Sequence, residues 1–214
     1  MATVTLWSDV GVAMQSALAT SVTITGLTNA SPGVVSHSGT DPSNGDYVVI
    51  TATGMAEVDG RVFRVANVIA STSFELEGED TTNYGTFSSG SFQVITLGTT
   101  IGTVTDLSSS GGDFNFIDTT TIHGNVATQV PGVASASSFS FTNLWDVSDA
   151  GLVAMKSAAD EKTERAFRFT FSNGQIMLFN GYVGATLLPG GSAQDKVTTQ
   201  TVITMYGTPT YYTS

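Results

Sequence analysis

Few residues in this chain could do chemistry, and most of those are carboxylates. Glu75 and Glu77 alternate within a stretch of strand character, so both project from one face, with Glu79 and Asp80 just beyond. Such a pair could chelate calcium or act as general acid and base, as in a glycan hydrolase. No spaced Asp/Asn loop ending in a bidentate Glu accompanies it, and a solvated strand face has the same pattern. Asp160-Glu161 and Glu164 read as charges at a surface turn. The two histidines, His37 and His123, stand far apart, and neither has a second ligand at metal spacing; both read as loop histidines. The chain has no Gly-rich phosphate cradle, no P-loop lysine and no nucleophile elbow. It has no cysteine, which excludes disulfides and thiolate chemistry. The sequon Asn29-Ala30-Ser31 is followed by Pro32 and has no secretory context. The expectation is no catalytic, cofactor or metal residue, and no enzyme.

The elements that would position any site are strands. Thr, Ser and Gly fill 80 of the 214 positions, while 41% of the residues are hydrophobic and 12 are Phe. That supply of Phe, Val and Ile can fill a core, and its company of Thr and Ser favours pleated structure over helix. No run approaches the ~20 apolar residues of a membrane-spanning helix. The first 20 residues carry no Lys or Arg and no continuous apolar stretch, so no secretory signal is expected and cytosolic synthesis fits. The net charge is −11, with only seven Lys and Arg, five of them after residue 155. A chain so poor in bases cannot build a face that neutralises phosphates, which excludes a nucleic-acid reader.

Two textures divide the chain. Residues 24–95 hold eight acids and two bases, with strand candidates at Val34–Ser36, Tyr47–Thr51, Val62–Val65, Ser73–Leu76 and Ser91–Ile95. Asn44-Gly45-Asp46 and Asp59-Gly60 are turn signals between them, which suggests a small β-barrel or sandwich module. The same strands could belong to one larger sandwich. Outside this stretch, Phe139 and Phe141 alternate with Ser138, Ser140 and Thr142 as a half-buried strand. A helix follows, capped by Asp146 or Ser148, with Leu152, Met155 and Ala159 on the stripe that docks on a sheet. Arg165–Phe171 alternates strictly, Asn173-Gly174 is a hairpin turn, and Gln175–Val183 returns without alternation, as a strand covered on both faces. Lys196–Tyr206 is the last strand and Gly207–Tyr212 an arm. Ile101–Leu107 and Phe114–Asp118 are further strands, and Thr119–Gly132 is a long polar loop of the kind that partners order. Val10, Met14 and Leu18 fall at helical spacing.

The C-terminal order is distinctive: a Phe-alternating strand, Asn143-Leu144-Trp145-Asp146-Val147-Ser148-Asp149-Ala150-Gly151-Leu152, one helix, Arg165–Phe171, the Asn-Gly hairpin and Phe179-Asn180-Gly181-Tyr182-Val183. A Gly-rich loop, Asp195-Lys196-Val197 and a Thr-rich strand complete it. Over roughly Gln93–Tyr206 it resembles the major tail tube proteins of long, non-contractile-tailed phages (siphophages). Residues 2–22 would supply the N-terminal strand. The central stretch is similar to small β-rich inserts of other phage structural proteins.

The resemblance implies a mainly β protein. Residues 1–23 and 96–214 would form a β-sandwich with an N-terminal arm and one flanking helix, and residues 24–95 an inserted module. It implies hexameric rings in which one sheet of each subunit joins a continuous inner barrel. Rings would stack through long loops and the arm into a conduit for DNA ejection. Tape measure, terminator and tip proteins would be its partners, the virion its location, and no cofactor would be required. Electrostatics adds that a lumen carrying carboxylates and hydroxyls repels DNA, with Arg165, Arg168 and Lys196 paired or turned towards subunit contacts. The alternative is a sandwich adhesin of a tail tip or bacterial surface.

Overall fold

Alternation of Phe, Val and Ile with Ser and Thr builds sixteen strands and a single helix over residues 7–213, the part described by the computed structural model. In chain order come β1 (Gly11–Met14), β2 (Ala17–Leu18), β3 (Val22–Leu27), β4 (Val34–His37), β5 (Tyr47–Thr53), β6 (Val62–Ile69), β7 (Ser73–Leu76) and β8 (Ser89–Thr96). Next are β9 (Thr99–Thr100), β10 (Val104–Ser110), β11 (Phe114–Asp118), β12 (Gln129–Ala134) and β13 (Ser138–Leu144). After α1 (Ala150–Glu161) the chain closes with β14 (Glu164–Thr170), β15 (Ile176–Ala185) and β16 (Thr198–Tyr212).

The strands pair antiparallel in three sheets. The first is open, in the order β10-β13-β16-β15-β14-β1-β9. The second closes on itself as a barrel, β3-β4-β7-β6-β5-β8, because β8 pairs with β3 on one side and β5 on the other. β2 is added at the end of β8. The third is the hairpin β11–β12 alone.

Each sheet has its own core. In the open sheet Phe139, Phe141, Phe167, Phe169 and Phe179 turn to one face, with ring centroids 5.2–6.0 Å apart. Leu152, Met155 and Ala158 of α1 complete that core. Each such side chain contributes about 1.5–3 kcal/mol of burial. The helix cap is Asp149, and not Asp146 or Ser148: its carboxylate accepts the Leu152 N–H at 2.8 Å, while Asp146 takes the Ser148 N–H and hydroxyl. Lys162, at φ 54°, ends it. Inside the barrel Ile50, Met55, Phe63, Phe74, Leu76 and Phe92 are fully buried.

The two cores meet at a seam, which explains why the β15 sequence does not alternate. Met177 and Phe179 point to the α1 side, whereas Leu178 packs with Val62, Ile95, Ala166 and Tyr212. The end of β16 ties the seam. The Thr210 hydroxyl donates to the Val62 carbonyl at 2.6 Å, and Arg61 Nε to the Thr208 carbonyl at 3.3 Å. The Arg64 N–H donates to the Tyr212 hydroxyl at 2.8 Å while its guanidinium covers the Tyr212 ring at 4.6 Å. At Gly60, φ 68°, a Cβ would stand 2.1 Å from the Tyr206 ring, so only glycine fits this close approach.

Four expectations are corrected. Val10, Met14 and Leu18 do not lie on a helix: they belong to β1, β2 and the turn before them, where strand pairing overrides weak helical spacing. Ile101–Leu107 is not one strand but the end of a short β9 connection followed by β10, displaced to Val104–Ser110. The polar stretch Thr119–Gly132 is the outer part of a β-hairpin, and its last residues are strand β12. Gly207–Tyr212 is no arm, since β16 continues to Tyr212. Of the N-terminal strand expected over residues 2–22, residues 2–6 lie outside the described part.

Burial holds the Tyr212 hydroxyl above its usual range. Folding therefore favours the protonated phenol, so this stabilisation is complete below about pH 10 and is lost as pH rises through the folded value. Thermal unfolding followed from pH 8 to 11 should show the melting temperature falling above about pH 10. Tyr212→Phe should lose about 1 kcal/mol at neutral pH but fall less steeply in alkali. Parallel curves for the two proteins would contradict this role.

Candidate assembly surfaces

The carboxylates that could do chemistry are engaged in holding the barrel. Glu77 forms a bidentate pair with Arg64. Glu79 takes Arg61 at 2.6 and 3.2 Å and the Tyr84 hydroxyl at 2.6 Å, and Glu75 accepts from the Asn67 amide at 2.6 Å. Hydrogen bonds from the Thr82 hydroxyl and N–H hold Asp80 below the ordinary carboxylate range. His37 is not a loop histidine. Its side chain is enclosed in the barrel against Phe74 and Phe92, with neither ring nitrogen hydrogen-bonded. His123 is exposed in the β11–β12 tip. Asn29 of the sequon donates its amide to the Tyr84 carbonyl at 2.8 Å. Near α1, Asp160 pairs with Lys156, Glu161 with Arg165 at 2.6 Å, and Glu164 takes the Asn180 amide and the Tyr182 hydroxyl. Among the described residues no three His, Asp or Glu converge on a metal position.

What the fold leaves unsatisfied is surface and strand edge. The face of β10, β13, β16 and β15 opposite the phenylalanines carries cross-strand rows read directly from register: Asp106, Thr142 and Gln200; Ser108, Ser140 and Val202; Ser110, Ser138, Thr204 and Tyr182. Side chains bond across the strands, Ser110 to Ser138 at 3.0 Å and Gln200 to Thr142 at 3.0 Å. No Lys or Arg stands in these rows. Arg165 is turned to Glu161, and Arg168 lies under the barrel over the Tyr47 ring at 5.6 Å. Lys196 sits in the loop before β16. The strand at the margin of this face, β10, has no partner on its outer side among the described residues.

Among the described residues the hairpin β11–β12 pairs with no further strand. Phe114, Phe116, Ile117, Ile122, Val126 and Val133 are all more than half exposed on it, an apolar surface that a free monomer would not be expected to leave open. A polar loop with few packing residues signalled this segment and Phe114–Asp118 is the strand expected, but β12 escaped notice because Gln129-Val130-Pro131-Gly132 carries a proline and a glycine in place of alternation. The hydroxyl face had a signal in the Ser/Thr positions between phenylalanines.

A chain with one sheet closed, one open and its carboxylates committed to structure is a subunit made to associate with other chains. It belongs to the phage tail tube protein (TTP) family, whose model matches residues 53–214, from the end of β5 through the rest of the barrel and the whole of the C-terminal half. It is thus a structural component of a phage tail that self-assembles into a tube, in a family of structural proteins rather than enzymes. No curated protein sequence matches the chain significantly.

If the acids serve the barrel, calcium should not move the melting temperature. Glu79→Gln should cost about 2 kcal/mol by weakening a charged hydrogen bond to nearly buried Arg61, and Glu75→Gln less than about 0.5 kcal/mol. Denaturant titrations with and without calcium check both. Stabilisation by calcium, lost in Glu75→Gln, would restore a metal role.

Proposed function

We propose that the chain builds the tail tube of a long, non-contractile-tailed phage as hexameric rings stacked into the conduit for DNA ejection. The observation that carries this reading is the open first sheet, whose unpartnered β10 margin adjoins a base-free hydroxyl face. Edge-to-edge joining of first sheets between subunits satisfies that margin and turns the face inward. A lining of Ser, Thr, Gln and Asp106 offers phosphates no cation to hold, so DNA slides past it. Residues 1–23 and 96–214 then form the ring unit. Residues 24–95, together with the strands from Ala17 that pair with them, form an inserted module packed on the Leu178 side of β15. The β11–β12 hairpin bridges layers. Tape measure, terminator and tip proteins are the partners this role requires. The protein is made in the host cytoplasm and resides in the virion.

Electron microscopy and light scattering of the purified chain test the reading: rings or tubes are expected. A strictly monomeric mass at high concentration overturns it, and a monomer that binds a surface ligand would favour an adhesin. Lumen charge has its own test. Ser140→Lys should leave assembly intact but make tubes retain duplex DNA at low salt, with binding lost as salt rises. Tubes of Ser140→Lys that ignore DNA would place this face elsewhere.

A further inference from the structure

Where β13 ends and β16 begins, an apolar platform faces water: Leu144, Trp145, Val147, Leu188 and Val197 are all exposed. Leu144 stands opposite Thr198 in the register, and the Trp145 N–H donates to the Val197 carbonyl at 3.0 Å. The indole Nε1 donates to the Leu187 carbonyl at 2.9 Å, which pins the ring while leaving Trp145 38% exposed. A fixed, half-open tryptophan loses little freedom on binding and is the kind of anchor that dominates interfaces. The rim is acidic. Asp146 and Asp149 follow Trp145, and Asp195 precedes Val197, against the single cation Lys196. Bonds from the Ser148 hydroxyl and N–H hold the Asp146 carboxyl below its ordinary range, so it is charged near neutral pH.

Charge selects what can cover such a surface. Nucleic acid and anionic lipid are repelled by the rim, and so is the apolar hairpin of a second copy, which carries Asp113 and Asp118 and no Lys or Arg. The rest of a second copy offers no better match. Arg61, Arg64, Lys156 and Arg165 are held by its own carboxylates, and Arg168 lies under the barrel over Tyr47. Lys162 is flanked by Glu161 and Glu164, and Lys196 belongs to the platform itself. We propose that the Trp145 platform is a docking site for a basic apolar segment of a different protein, an arginine flanked by large aliphatic side chains. The guanidinium stacks on the indole face and meets the Asp146 or Asp195 carboxylate, which an ammonium cannot do in the same flat geometry. The aliphatic neighbours cover Val147, Leu188 and Val197. The contact adds a foreign partner to a subunit whose own copies build the tube.

Trp7 and Trp145 are the two tryptophans of the chain, so Trp7→Phe leaves Trp145 as the only indole and its emission as the reporter. A blocked Leu-Arg repeat peptide is the probe, with Ser-Arg and Leu-Glu repeats of equal length as controls. The Leu-Arg peptide should change the emission saturably, and neither control should. Asp146→Asn combined with Asp195→Asn keeps an oxygen for the Ser148 and Lys196 N–H groups, so the fold should hold, as circular dichroism can verify. This variant should bind about threefold more weakly at low salt, the size of exposed ion pairs, with the difference erased at high salt. Leu188, 71% exposed, can become serine without cost to the core, and Leu188→Ser should weaken binding at any salt. No saturable change, equal binding of the three peptides, or variants that bind like the parent overturn the proposal. So do wild-type tubes in which Trp145 no longer responds to the Leu-Arg peptide, since a second copy then covers the platform. A chain that binds the peptide but forms no tubes removes the tube reading and keeps this site.

Discussion

A backbone N–H or C=O at the margin of a sheet must find water, another strand or another chain, and this protein meets that requirement in two different ways. In the barrel, β8 pairs on both sides and no margin remains. In the first sheet the order stops at β10 and β9, and among the described residues no strand pairs with the outer side of β10. The difference assigns roles without reference to any catalytic residue. The closed unit has no means of extending itself through backbone pairing. The open one does, and the rows on its face opposite the phenylalanines hold hydroxyl, amide and carboxylate side chains and no Lys or Arg.

The two units are not independent beads. From Met177 to Gly181 β15 is buried on both faces because α1 and the phenylalanine core lie on one side and the barrel on the other. β16 spans fifteen residues, pairing with β13 at its start and reaching the barrel with Thr210 and Tyr212 at its end. A single strand therefore links the hydroxyl face to the barrel. Removing the barrel would expose Leu178, Ala166 and Tyr212 to water, costing about 25 cal/mol for each Å² uncovered. That is a reason to regard the barrel as a buttress of the open sheet, and the family match takes in β6 to β8.

Much of this was legible wherever side-chain period and burial coincide. Phe114–Asp118 and Ser73–Leu76 are strands where the alternation puts them, and the unpatterned Gln175–Val183 announced a strand covered twice. Reading failed where long-range pairing decides. Val10 and Met14 can satisfy a helical or a pleated period, and only the register against β14 selects the latter. Tyr212 looked like the end of an arm because its partner, Arg64, is 148 residues away. His37, among serines, gave no sign that it would be enclosed by Phe74 and Phe92. The surfaces were the least legible, since an exposed Ile122 and a buried one read alike until the topology shows that β11 and β12 have no third strand.

An isolated two-stranded hairpin is marginal in water, yet this one is ordered before any partner is present. The reason lies in its neck, where threonines replace the missing core. The Thr119 N–H and hydroxyl both reach the Thr128 carbonyl, at 2.9 and 3.1 Å, and the Thr128 N–H donates to the Thr120 hydroxyl at 3.0 Å. Asp118 accepts the Thr120 N–H at 2.8 Å and closes the turn side. These bonds fix the arm without using its apolar side chains, which stay available for a partner. Pre-ordering removes much of the entropic cost that a floppy loop would bring to a contact, so a modest apolar area can suffice to bind another chain. The polar residues that made this segment look like a bare loop are thus what makes it usable as a joint.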